Sequence, residues 1–116
     1  MATPITQVYV AGVISSLHPE WENLNPNDTN TRHPHAGEII IATIEMGYGG
    51  SEVARLNGST LKQYGDAQNI VSGRTVIGFI RYWRSELRGS GYFTYSITSL
   101  DHPRNTMSTS INIKSS

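Results

Sequence analysis

The feature that most limits how this chain can fold is a period of two in its apolar residues. From Thr106 to Lys114, Met107, Thr109, Ile111 and Ile113 alternate with Ser108, Ser110 and Asn112. From Tyr92 to Leu100, Phe93, Tyr95 and Ile97 alternate with Thr94, Ser96 and Thr98. Successive side chains of a strand point to opposite faces, so each run carries one apolar and one polar face and reads as a strand lying against a core. The two runs are natural antiparallel partners, with Asp101-His102-Pro103-Arg104-Asn105 as the turn between them.

Other segments extend the pattern. Gly37 to Met46 and Thr75 to Trp83 are longer, rich in β-branched residues, and read as central strands. Glu38, Thr43 and Glu45 are expected on a partly solvated face of the first. Ile5 to Ile14 is strand-like, with Gly12 marking a bulge or bend. Asn57-Gly58 accepts positive φ at little cost and predicts a tight hairpin. Tyr64 to Gly73 reads as a connector or a weak edge strand. Residues 17–36 hold three prolines among Asn, Asp and Thr, and predict a long irregular surface loop with helix limited to a turn or two around Pro19 to Asn23.

Six or seven short strands over some 110 residues predict an all-β fold, an antiparallel two-sheet sandwich of immunoglobulin-like type, in one domain over residues 1–116. A small β-barrel shares these cues and is the alternative. Composition narrows the function classes. Nine Lys and Arg balance nine Asp and Glu, which argues against nucleic acid as a partner. The absence of Cys excludes a disulfide framework and a thiolate nucleophile. No stretch is long and apolar enough to predict a membrane span, and Met1-Ala2-Thr3-Pro4 lacks the basic and apolar regions of a signal peptide.

Four phrases carry a family likeness: Gly47-Tyr48-Gly49-Gly50, Leu56-Asn57-Gly58, Gly78-Phe79-Ile80-Arg81-Tyr82 and Asn105-Thr106-Met107-Ser108-Thr109-Ser110-Ile111. Over about residues 37–113 the chain resembles small secreted bacterial proteins of the YolA family. The resemblance implies a bacterial, secreted, single-domain protein of unknown function and brings no catalytic residues with it.

Chemistry is sparse. His33 and His35, with Glu38 nearby and His18 and Glu20 upstream, have the donor types of a metal site, but Pro34 separates the first pair and no zinc-motif spacing is present. They read as solvated loop histidines, and no metal or other cofactor is implied. Neither Ser51 nor Ser90 lies in a GxSxG frame, and no spacing singles out a carboxylate pair. The glycines around Tyr48 lack the Lys-Ser/Thr of a phosphate loop and read as turn residues.

The most suggestive segment is Arg81-Tyr82-Trp83-Arg84-Ser85-Glu86-Leu87-Arg88, because aromatic and Arg side chains dominate binding hot spots. Trp83, Arg84 and Arg88 are therefore candidate binding residues, together with Trp21 in the polar loop and Tyr48 among its glycines. Against this stands a core role for whichever of Tyr82 and Trp83 faces inward. The leading expectation is a secreted recognition module for a protein or glycan surface. The alternative is a small hydrolase using loop histidines and carboxylates, with or without a metal. Residues 1–52 carry six acids and one base, and residues 53–116 three acids and eight bases. Opposed surfaces of opposite charge would favour a homo-oligomer.

Overall fold

A computed structural model describes residues 4–85, 91–100 and 105–114, and among these all regular structure is strand. The larger sheet contains β1 (Gln7–Ser15), β2 (Glu22–Asn23), β3 (Ile39–Met46), β6 (Lys62–Gln63), β7 (Gln68–Ser72) and β8 (Thr75–Ser85), in the order β2-β1-β3-β8, with β6 and β7 both paired to the free edge of β8. The smaller sheet contains β4 (Gly49–Leu56), β5 (Ser59–Thr60), β9 (Gly91–Ser99) and β10 (Thr106–Ile113), in the order β10-β9-β4-β5. Setting aside the two-residue strands, the order β1-β3-β8-β7 against β4-β9-β10 reproduces the four-plus-three strand arrangement of a constant-type immunoglobulin sandwich. The sheets pack face to face and do not close into a barrel.

Local chemistry explains the turns. Asn57 and Gly58 have φ of 52° and 85° and join paired residues Leu56 and Ser59. Positive φ at both central positions is the requirement of the tight hairpin turn whose twist matches that of the strands. The register of β1 on β3 shifts between Val10 and Gly12, so the bend expected at Gly12 is a bulge. Tyr64 to Gly73 does supply an edge strand, β7.

Between the sheets, Val10, Val13, Ile39, Ile41, Trp83, Ala54, Leu56, Phe93, Tyr95, Ile97, Ile111 and Ile113 form one buried cluster. The inner faces of β9 and β10 are the ones the alternation predicts, with Thr109 paired to Tyr95 and Ile111 to Phe93.

In β3 the polarity runs opposite to expectation. Thr43 and Glu45 are fully buried on the inner face, while Ile40 and Ile44 are half-exposed. The buried carboxylate is tolerated because donors surround it. Tyr95 donates its phenol proton to Glu45 Oε1 at 2.6 Å, and Arg81 Nε donates to the same oxygen at 2.9 Å. Arg81 also pairs with Glu52 at 3.0 Å. Burial and the adjacent Glu45 carboxylate push the Tyr95 phenol far above its ordinary range, so it remains a donor. This polar node links the two sheets through β3 and β9. It also joins acids of the N-terminal half to a base of the C-terminal half. The charge asymmetry of the sequence is thus partly neutralised within the sandwich, and on its surface Arg84 pairs with Glu38 at 3.0 Å.

The long loop departs furthest from its expected form. It contains no helix. Glu22–Asn23 instead forms β2 on the edge of β1, and Leu24, Thr31 and His35 are buried. Asn30 bridges to Asn112, and Thr31 and His35 donate backbone N–H groups to the carbonyls of Asn112 and Lys114. Most backbone groups of a loop face water, but here the hydrogen bonds run into β1 and the end of β10, so the segment belongs to the body of the protein.

Candidate functional site

Pairing fixes which way each side chain turns. Trp83 lies opposite Ile41 and faces inward, whereas Tyr82 lies opposite Ala42 and faces outward. Trp83 is 5 % exposed, packs on the Tyr95 ring at 5.5 Å between centroids, and donates Nε1–H to Thr43 Oγ1 at 2.9 Å. The expectation that Trp83 anchors a surface is therefore corrected: it is a core residue with its polar atom satisfied.

The outer face of the larger sheet carries Ile14 on β1, Ile40, Ala42 and Ile44 on β3, and Ile80, Tyr82 and Arg84 on β8. Trp21 lies across this face. Its ring lies close on the backbone of β1, so that a Cβ at Gly12 would stand 3.2 Å from the indole and 3.1 Å from the Glu22 carbonyl oxygen, a tight fit that glycine avoids. The indole meets the Tyr82 ring at 5.9 Å with an interplanar angle of 53° and remains 41 % exposed. Beyond Tyr82 a groove of about 420 Å³ runs between Trp21, Ile40, Tyr64, Asp66, Gln68 and Tyr82. A second hollow of about 220 Å³ continues on the other side of the same two rings, over Gly12, Ala42, Ile44 and Ile80. Tyr82 donates its hydroxyl proton to Gln68 Oε1 at 3.2 Å, and the Arg84 guanidinium lies 5.7 Å from the centre of the Tyr64 ring. Aromatic area, amide and carboxylate groups thus line one open trough.

The structure brings Trp21 and Arg84 to this face. Tyr48 sits elsewhere, at the corner between β3 and β4, where its hydroxyl donates to the Val76 carbonyl at 3.0 Å and its ring packs edge-on against Phe79. Arg88 lies outside the described residues. Sequence reasoning did not assign Tyr64, Gln68 or the isoleucines to a site; in a sequence they are ordinary strand and loop residues. The one signal present was the pair Tyr82-Trp83, of which only one can face inward.

Beneath Trp21 lies a second cluster. Glu22, the next residue, turns inward, and its carboxylate accepts backbone N–H groups of Arg32 at 2.7 Å and His33 at 3.0 Å. His35 is fully buried, with Nε2 3.2 Å from Glu22 Oε1 and Nδ1 2.8 Å from Ser15 Oγ. His18 stacks on His33 at 4.5 Å and meets His35 edge-on at 5.4 Å. The reading of solvated loop histidines is thus corrected for His35. Burial alone would raise the Glu22 pKa, but the Arg32 and His33 N–H groups and His35 hold it below the ordinary carboxylate value. Burial lowers the His35 pKa, and Glu22 only partly offsets this. The imidazoles meet ring to ring, and among the described residues no group of three or more ligand side chains has the geometry to hold a metal ion.

The hydroxyl, imidazole and carboxylate of Ser15, His35 and Glu22 stand in the order hydroxyl–imidazole–carboxylate that serine hydrolases use, but with the two ring nitrogens exchanged, Nδ1 toward the hydroxyl and Nε2 toward the carboxylate. Here Ser15 and His35 are buried, and Ser15 Oγ also accepts the His18 N–H at 3.1 Å.

Among the described residues no helix is long and apolar enough to cross a membrane. The family described as Domain of unknown function (DUF4879) matches residues 1–113, a span that takes in both the sandwich and the pinned loop. No curated protein and no solved structure matches the chain.

Proposed function

We propose that this chain, which belongs to the DUF4879 family, is a recognition module that binds a glycan along the outer face of its larger sheet. The observation that carries the proposal is the exposed Trp21 ring, set at an angle to the half-buried Tyr82 ring in the floor of an open trough whose rim holds Asp66 and Gln68. A sugar ring offers apolar C–H groups on its faces and hydroxyls around its edge. Aromatic rings accept the first, and planar carboxylate and amide groups exchange hydrogen bonds with the second. The trough has the size of a small-ligand cleft, whereas a stable protein contact covers about 800 Å² on each side. The likeness to secreted proteins of the YolA family suits a module that meets its ligand outside a bacterial cell.

The protein has two tryptophans, Trp21 exposed and Trp83 buried. Their indole N–H signals in a proton–nitrogen correlation spectrum therefore report the face and the core separately. Titration with soluble neutral and acidic polysaccharides should move the Trp21 signal and leave that of Trp83 in place, and Trp21→Ala should weaken binding by about 2 kcal/mol, as hot-spot truncations do. If no glycan moves the Trp21 signal, the glycan reading fails; protection of the same face by a protein partner would put the protein reading in its place.

The hydrolase reading has the Ser15, His35 and Glu22 contacts in its favour. A fluorophosphonate probe that labels Ser15 would establish it. We expect no labelling, because the hydroxyl is enclosed.

A further inference from the structure

We infer that the imidazole cluster of His18, His33 and His35 is an acid-sensitive latch that holds Trp21 on the outer face of the larger sheet and releases it as the cluster gains charge. The inference starts from two adjacent residues. Trp21 lies outside, against Gly12 and Tyr82, while Glu22 points inside, where its carboxylate ties His35 to the backbone of Arg32 and His33. Side chains next to each other on a strand face opposite ways, so whatever displaces Glu22 displaces the indole on the other side. Glu22 opens β2, directly after Trp21, and β2 pairs with β1 through only two residue pairs, Gly12 with Asn23 and Val13 with Glu22. It is held further by the cluster, by Arg32, whose guanidinium donates to the Asn23 carbonyl, and by buried Leu24, whose N–H donates to the Ala11 carbonyl, while the loop beyond it is tied to the end of β10.

Histidine is the side chain whose ordinary titration spans pH 5 to 8. The His18 ring lies 4.5 Å from that of His33 and 5.4 Å from that of His35, and imidazoles this close pack well when neutral and repel when charged. The groups facing them are few. Glu22 on β2 is the buried anion in contact with the cluster and can compensate one positive charge. Glu20 contributes its backbone carbonyl, which lies 2.9 Å from His18 Nδ1. Arg32 reaches away, toward Asp28 at 3.9 Å and the Asn23 carbonyl. Glu38 meets the neighbouring Ser16 through its backbone, and Lys114 contacts His35 and Thr31 through backbone atoms. A second or third charge on the cluster therefore lacks a buried partner. Letting the segment swing outward, so that the rings separate and buried His35 meets water, removes the repulsion.

The device supplies regulation to the face assigned above, and its role in binding rests on that assignment; the opening itself does not, and it is measured without any ligand. The intact protein is titrated from pH 7.5 to 4.5, following the indole signals of Trp21 and Trp83 and the ring carbon-bound protons of the four histidines. The expected result is that the Trp21 signal moves to a second position with a midpoint inside the imidazole range, in step with two or more histidines, while Trp83 stays fixed. His33→Gln, at an exposed position that leaves the buried Ser15–His35–Glu22 contacts in place, removes one ring from the stacked set and should shift the opening equilibrium at the midpoint pH several-fold toward the closed form. His18→Gln should act in the same direction. The inference is overturned if the histidines titrate while the Trp21 signal stays put. It is equally overturned if both indoles move together, which is global unfolding, or if neither Gln variant alters the Trp21 transition.

Discussion

The two sheets of this sandwich turn opposite chemistry to the solvent. The outer face of the smaller one is lined by Thr94, Ser96 and Thr98 on β9 and by Thr106, Ser108 and Ser110 on β10. That of the larger one is lined by Ile14, Ile40, Ile44, Ile80 and Tyr82, with Trp21 laid over them. A fold of this kind needs only its inner faces to be apolar. The smaller sheet shows what the fold alone asks for, and the larger one carries apolar surface beyond that requirement. The inner side of β3 shows the same inversion, since Thr43 and Glu45 occupy core positions. This partly accessible apolar surface is what the proposed binding face draws on.

The comparison breaks most decisively at the buried polar node. Glu45→Ala should leave the Tyr95 phenol without its acceptor and the Arg81 guanidinium with Glu52 and Gln63 in place of the buried carboxylate, and cost about 3 kcal/mol in denaturant melts, the lower end for removal of one partner of a buried pair. A loss below about 1 kcal/mol would mean that the node is wet and that the two sides of β3 differ less than the structure shows. Trp83→Ala, on the same inner side, should cost roughly 3–5 kcal/mol, against about 0.5 kcal/mol for a solvent-facing change such as Ser108→Ala on the smaller sheet. Ile44→Thr copies the chemistry of the smaller sheet onto the larger one. It should cost about 1 kcal/mol or less in stability while weakening ligand binding several-fold, and Thr94→Ala should leave binding unchanged.

A smaller effect separates the pinned loop from the sheets. His35 has a lowered pKa in the fold, so the unfolded chain takes up its proton first. The stability it contributes is full above the ordinary imidazole value of 6.5 and declines as the pH falls below it. The Glu22 pKa is also lowered, so its contribution is full above the ordinary carboxylate value of 4.5 and is lost below that. Urea midpoints should therefore fall in two stages on acidification, and His35→Gln should remove the first stage only. Smallest of all, Arg84→Ala should change stability by less than about 0.5 kcal/mol, because its pairing with Glu38 is at the surface, where ion pairs contribute little.

Much of the architecture was legible from residues alone. The alternation in β9 and β10 determined which side of each faces the core, because an error of one residue would bury every Ser and Thr of the strand. Asn57-Gly58 determined its hairpin through backbone sterics, which act locally. Trp21 was visible as an isolated aromatic in a polar loop. Nothing local could show that it lies on Gly12 or that Tyr82 stands beside it, since Trp21 comes nine positions after Gly12 and sixty-one before Tyr82.

What the tertiary structure alone decided follows from the same distinction. The sequence of β3 has apolar side chains on both faces over Ile39 to Ile41, so alternation could not choose which side meets the core. The choice fell to partners far along the chain, with Arg81 and Tyr95 making Glu45 acceptable inside and Trp21 and Tyr82 partly covering the isoleucines outside. The histidines of the long loop looked solvated because their neighbours in sequence are polar. Their neighbours in space are Ser15, Glu22 and one another, and burial, which shifts the His35 proton equilibrium, is a property of packing that no short stretch of sequence contains. Strand periodicity and turn chemistry are written locally, whereas the polarity of a face and the charge state of a cluster depend on contacts that exist only once the sheets have come together.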